Sequence, residues 1–122
     1  MAQSFTHEVL SSSTNGLGVK LTGTATGTAV TLHTAISGTT SRDEVWIWLQ
    51  NNNASGATRT VTIEFGGTTA VDNQIIVPVP PKVGPVLAVP GFPLRNTLLV
   101  KAFADVANEV VAYGYVNRVT VT

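Results

Sequence analysis

A chain of 122 residues, 43% of them hydrophobic and only 11% charged, is long enough for one domain with a sizeable core and too short for two independent ones. Seven basic residues balance seven acidic ones and neither sign runs in a block, which excludes the electrostatic footprint of a nucleic-acid or anionic-membrane binder. With no cysteine, disulfides and thiolate metal sites are excluded too.

So low a charged share leaves a surface of Thr, Ser, Asn, Gly and apolar groups, better suited to contact with other protein than to solitary life in solution. The N-terminal residues 1–8 have no basic region followed by an apolar stretch, and no run approaches the length of a membrane span. Synthesis in a cytoplasm is therefore expected, with any external position reached by assembly or lysis.

Residues 10–28 are rich in Ser, Thr and Gly and lack a helical apolar period. They read as an extended N-terminal arm, residues 1–28, ahead of a β domain at residues 29–122. The alternative is a surface loop with a short strand near Val19. From residue 29 onward, β-branched and apolar runs cover residues 29–36, 44–50, 58–65, 74–79, 85–89, 97–104 and 109–119. Clusters such as Ser37-Gly38-Thr39-Thr40, Asn51-Asn52-Asn53 and Gly66-Gly67 separate them as chain reversals. The expected fold is all-β: an antiparallel, jelly-roll-like β-sandwich, or a small barrel.

All six prolines fall between Pro78 and Pro93. Proline cannot donate to a central ladder, so this stretch must be edge strand, crossover or extended polyproline. Two strands are apolar on both faces. Val45, Ile47 and Leu49 alternate with Trp46 and Trp48; Val111, Tyr113, Tyr115, Val119 and Val121 oppose Val110, Ala112 and Val116. One face of each can be core; the other needs cover from the arm, the proline segment or a neighbouring subunit. Gly114, between the tyrosines, marks a bulge or a close approach of another backbone.

The inventory for catalysis is thin. The only histidines are His7 and His33, and no nucleophile elbow, P-loop or His-Glu-x-x-His helix occurs. His33 reads as a half-exposed structural residue, since no second histidine or carboxylate lies at strand spacing; a hydrolytic site would require it to meet a carboxylate in the fold. Glu8, Asp43, Glu44, Glu64, Asp72, Asp105 and Glu109 are scattered, and Asp43 and Glu44 point to opposite faces of a strand. No catalytic residue, cofactor or metal site is expected. Asn53-Ala54-Ser55 fits the glycosylation pattern but reads as a polar turn. Trp46 and Trp48 could stack on sugars, which makes a carbohydrate-binding or host-recognition module the alternative reading.

The stretch at residues 100–119, Val-Lys-Ala-Phe-Ala-Asp-Val-Ala-Asn-Glu-Val-Val-Ala-Tyr-Gly-Tyr-Val-Asn-Arg-Val, resembles the C-terminal hairpin of small virion proteins from tailed bacteriophages. Val86-Leu87-Ala88-Val89-Pro90-Gly91 is similar to the strand and Pro-Gly turn that precede it. The resemblance implies a β-sandwich structural protein on the capsid surface of a virion, like the decoration or cement proteins that sit over capsomer junctions. Its implied partners are further copies of itself, a homotrimer being the expected oligomer, and the major capsid protein. No binding residues carry over from it. The apolar faces point to Trp46, Trp48, Tyr113, Tyr115 and, from residues 86–92, Val86, Leu87 and Phe92 as contact residues.

Overall fold

The computed structural model describes residues 2–122. The strands are β1 (Gln3–Val9), β2 (Val19–Lys20), β3 (Val30–Thr34), β4 (Arg42–Asn51), β5 (Arg59–Phe65), β6 (Gln74–Val79), β7 (Val86–Leu94), β8 (Leu99–Ala104) and β9 (Val110–Val121). One 3₁₀ turn, Thr26–Thr28, interrupts them, and the described residues contain no α-helix. The turns are built by residues that accept left-handed backbone: Gly38 between β3 and β4, Gly56 between β4 and β5, and Asn108 between β8 and β9.

The strands form two antiparallel sheets, one ordered β1-β9-β4-β7 and the other β3-β8-β5-β6, with β2 continuing along the edge of β9 beyond β1. The pairing is nested: β5 with β6, β4 with β7, β3 with β8 and β1 with β9, like one long hairpin rolled up. That is a jelly roll, here flattened into a sandwich. The small-barrel alternative is excluded, because each sheet ends on unpaired strands, β1 and β7 in one and β3 and β6 in the other.

The boundary expected at residue 28 does not separate an arm from the sandwich. β1 pairs with β9 over its whole length, β2 adds to the same edge, and Leu10 and Leu21 are fully buried in the core. Serine- and threonine-rich sequence hid this, because β1 carries its apolar side chains at Phe5 and Val9 only and is exposed along nearly all its length.

The core lies between the inner faces, where Val45, Ile47 and Leu49 of β4 meet Val61 and Ile63 of β5 and Val100 of β8. Both proline-bearing strands are edges, as the missing N–H requires: β6 holds Pro78, and β7 holds Pro90 and Pro93. Thr60, opposite Pro78, directs its backbone groups to Asp105 instead, so Pro78 sits where no ladder bond is lost.

Gly114 is a close approach. A Cβ there would fall 2.0 Å from the Trp46 carbonyl oxygen on β4. Gly114→Ala should therefore lower stability by about 3 kcal/mol, the upper end of overpacking penalties, as read from the urea midpoint. At the β5–β6 loop, Val71 holds φ 72° while 83% exposed. A β-branched residue is costly in that region and contributes no packing here, so Val71→Asn should raise stability by about 1 kcal/mol in the same measurement.

Candidate functional site

The outer face of the β1-β9-β4-β7 sheet gathers most of the residues that the sequence singles out. Trp46 and Trp48 on β4 lie opposite Tyr115 and Tyr113 on β9, and Leu87 on β7 lies opposite Trp48. The three inner rings of this group are nearly parallel. Centroids of Trp46 and Trp48 are 6.1 Å apart, Trp46 and Tyr115 6.4 Å, and Trp48 and Tyr115 6.1 Å, with interplanar angles of 17°, 13° and 21°. Three mutually equidistant parallel rings cannot be one column, so they form a tile on the sheet. His7 of β1 extends it, 5.6 Å from Tyr115.

The tile has a seat. A Cβ on Gly91 would fall 2.8 Å from Cζ2 of Trp46, so the indole leans over β7 where that glycine, at φ 78°, leaves room. Gly91 was legible as a turn residue; its use as a ring seat was not. Cover is partial. The backbone at Gly18 lies against Val111 and Tyr113, while Phe5, Val9, Leu87 and Tyr113 stay exposed. Val86 and Phe92 do not join this face. Val86 packs against the core, and Phe92 is in register with inward-facing Val45 and meets Phe65 of the other sheet edge-on at 6.1 Å. Two bulges in β7 against β4 shift the alternation that sequence spacing assumes.

His33 is not half-exposed. It is 1% exposed, and its Nε2 lies 2.7 Å from Oδ2 of Asp43, which is wholly buried, so the carboxylate that strand spacing did not supply comes from the facing sheet. Its Nδ1 accepts the Ser11 backbone N–H at 3.0 Å, which leaves Nε2 as the donor to Asp43. Arg118 donates through Nε to Oδ1 at 2.8 Å and through Nη2 to Oδ2 at 3.0 Å, and the Ile36 N–H donates to Oδ2 at 3.1 Å. Both ring nitrogens of His33 are thus engaged, and neither is free to take a proton from a substrate. The cluster joins β3 of one sheet to β4 and β9 of the other.

The other end of β4 is tied by amides. Asn51 donates to the carbonyls of Ala57 at 2.9 Å and Val79 at 2.8 Å and accepts from the Asn53 N–H at 2.8 Å. Asn53 donates to Glu109, itself bonded by Arg59, and accepts from the N–H groups of Ser55 and Ala57. Hydrogen bonds from Arg59 and then Asn53 hold the Glu109 carboxyl below its ordinary value. Asn53 is buried, and its Oδ1 draws in the N–H groups of Ser55 and Ala57, so Asn53-Ala54-Ser55 forms a turn.

A further concavity of about 230 Å³ opens on the outer face of the second sheet, lined by Glu64, Gly66, Gly67, Leu98, Leu99 and Lys101 among others. Glu64 is buried there. Its Oε2 accepts the Thr26 hydroxyl at 2.9 Å, while Oε1 has no partner. Among the described residues no group of three His, Cys, Asp or Glu side chains could hold a metal, and no helix is long and apolar enough to cross a membrane.

No family model, curated protein or solved structure matches this chain.

Burial pushes the Asp43 carboxyl up, but the hydrogen bonds from Arg118 and His33 and the charge of Arg118 outweigh it and hold the group below the ordinary carboxylate value. A carboxyl depressed on folding stabilises above its unfolded value of about 3.9, and that contribution is lost as pH falls through the lower folded value. Stability should thus hold down to about pH 4 and fall below it. Asp43→Asn, which leaves Arg118 and His33 without their carboxylate, should cost about 3 kcal/mol at pH 7 and flatten the acid limb, both readable from urea unfolding across pH.

Proposed function

We propose that this chain is a non-enzymatic structural subunit of a virion, a capsid decoration or cement protein that binds over the capsid lattice through oligomeric protein contacts. A homotrimer is the expected oligomer and the major capsid protein the expected partner. The observation that carries this reading is the outer sheet face, where the aromatic tile of Trp46, Trp48 and Tyr115 is rimmed by exposed Phe5, Val9, Leu87 and Tyr113. An apolar aromatic face with few charges behaves as an interface core, and weak single contacts become tight when several subunits engage one lattice. The jelly roll adds fold-level analogy only, since capsid and lectin domains share it.

The second reading, a carbohydrate-binding module, rests on the same near-parallel rings, which offer a flat surface for stacking on pyranose faces.

Both tryptophans of the chain belong to the tile, so their fluorescence reports on this face alone. Light scattering should show native masses that are multiples of 12.7 kDa and grow with concentration, while acrylamide quenching of the tryptophans falls in step. Growing mass with unchanged quenching would locate assembly elsewhere. A persistent monomer whose emission shifts with added glycans would replace this reading by the carbohydrate one.

A further inference from the structure

We propose that β1 is an assembly strand: the open edge of its sheet pairs antiparallel with β1 of a second copy of this chain, about a two-fold axis at Thr6. The proposal goes beyond the face contact described above, because it uses the backbone of an edge and not the aromatic surface.

β1 is the outermost strand of its sheet. Ala2 and Thr122 exchange both backbone hydrogen bonds, at 3.2 and 3.0 Å, and so form a bonded pair of the β1–β9 ladder. Bonded pairs alternate along an antiparallel ladder, so Ser4, Thr6 and Glu8 bond to β9, whereas the N–H and C=O groups of Gln3, Phe5, His7 and Val9 point outward. Six of the seven β1 side chains are exposed, and Phe5, at 71%, is among the most exposed large apolar residues among those described.

Of the remaining sheet edges, β2 is only two residues long and the others are closed. β6 carries Pro78 at an outward position, and β7 carries Pro90 and Pro93 and two bulges. Along β3, residues 11–12 occupy the free side: Ser12 N–H donates to the Leu32 carbonyl, Thr34 N–H donates to the Ser11 hydroxyl at 2.7 Å, and Ser11 N–H goes to His33. β1 has no proline, no lysine and no bulge against β9. An edge left without these protections is a template for another strand. With the other edges blocked, the strand of this chain that can fill it is another β1, which makes the contact isologous.

The sequence of β1 suits that pairing. With the axis at Thr6, all seven residues overlap. Phe5 faces His7 of the second copy, Gln3 faces Val9, Ser4 faces Glu8, and Thr6 faces Thr6. An aromatic pair, a hydroxyl beside a carboxylate and a threonine pair are favourable cross-strand neighbours, and no like charges oppose each other. The two sheets would join into one continuous sheet with both tiles on the same face.

Amide hydrogen exchange on the unmodified chain, followed by NMR at rising concentration with native mass measured in parallel, tests this. As mass doubles, the outward amides of Phe5, His7 and Val9 should slow by at least about tenfold, joining Ser4, Thr6 and Glu8, which are protected at every concentration. His7→Pro removes an outward N–H without touching a bond to β9, and should return the mass to that before doubling with the β-sheet circular dichroism retained. Doubling with the Phe5 and His7 amides still fast, or no doubling at all, overturns the proposal. Tryptophan quenching is read in the same samples: it falls if the aromatic face also assembles and is unchanged if only β1 pairs, so the two contacts fail or hold separately.

Discussion

The inner face of β4 carries a carboxylate at one end, an amide at the other and three aliphatic side chains between, and the alignment of the two sheets depends on that pattern. Asp43 reaches His33 on the facing sheet and Arg118 on its own; eight residues on, Asn51 reaches the Val79 carbonyl of the facing sheet. Aliphatic burial between them supplies most of the cohesion but has no direction, and a slip of two residues would leave Val45, Ile47 and Leu49 still facing apolar neighbours. The ends do not tolerate such a slip, because it would place Asp43 among apolar side chains without its four donors. The polar ends fix the alignment that the apolar middle stabilises.

The outer face of the same strand follows a different logic. There the alternation delivers Trp46 and Trp48 to a surface that no second layer covers, and the molecule meets the resulting exposure only in part. Tyr115 closes the tile from the side, Gly91 lets the Trp46 ring lie down, and the backbone at Gly18 shields Val111 and Tyr113. What is left open runs from Leu87 on one edge strand to Phe5 and Val9 on the other. A single sheet therefore separates a core specified by buried charge from a face whose centre is aromatic and aliphatic, with charge only toward its margins at Lys20 and the Arg42–Glu44 ion pair.

Much of this was legible in the sequence, and the exceptions share a cause. The seven strands from residue 29 onward stand where β-branched runs and turn residues place them, β6 at Gln74–Val79 with the bounds expected. The two-sided character of β4 and β9 and the close approach at Gly114 were also readable, since strand alternation is a local property. β1 was not, because its strand character comes from the partner it finds in β9 and not from its own apolar content. The partnership of His33 with Asp43 was equally hidden: it joins two sheets, and strand spacing predicts only neighbours within one. Of the three contact residues named in β7, Leu87 alone joins the aromatic face; Val86 and Phe92 are in register with inward-facing Leu49 and Val45.

The nested pairing also dictates an order of events. β5 and β6 are separated by residues 66–73 only, so their closure costs little chain entropy, and each later pair, β4 with β7 and β3 with β8, needs a larger loop closed than the one before. The last pair sets Gln3 against Val121, joining the first strand to the last. A chain emerging from the ribosome thus has β1 waiting unpaired until β9 has been made, and the landscape tilts from the hairpin outward. The seam between β1 and β9 is the pairing whose two strands stand furthest apart along the chain.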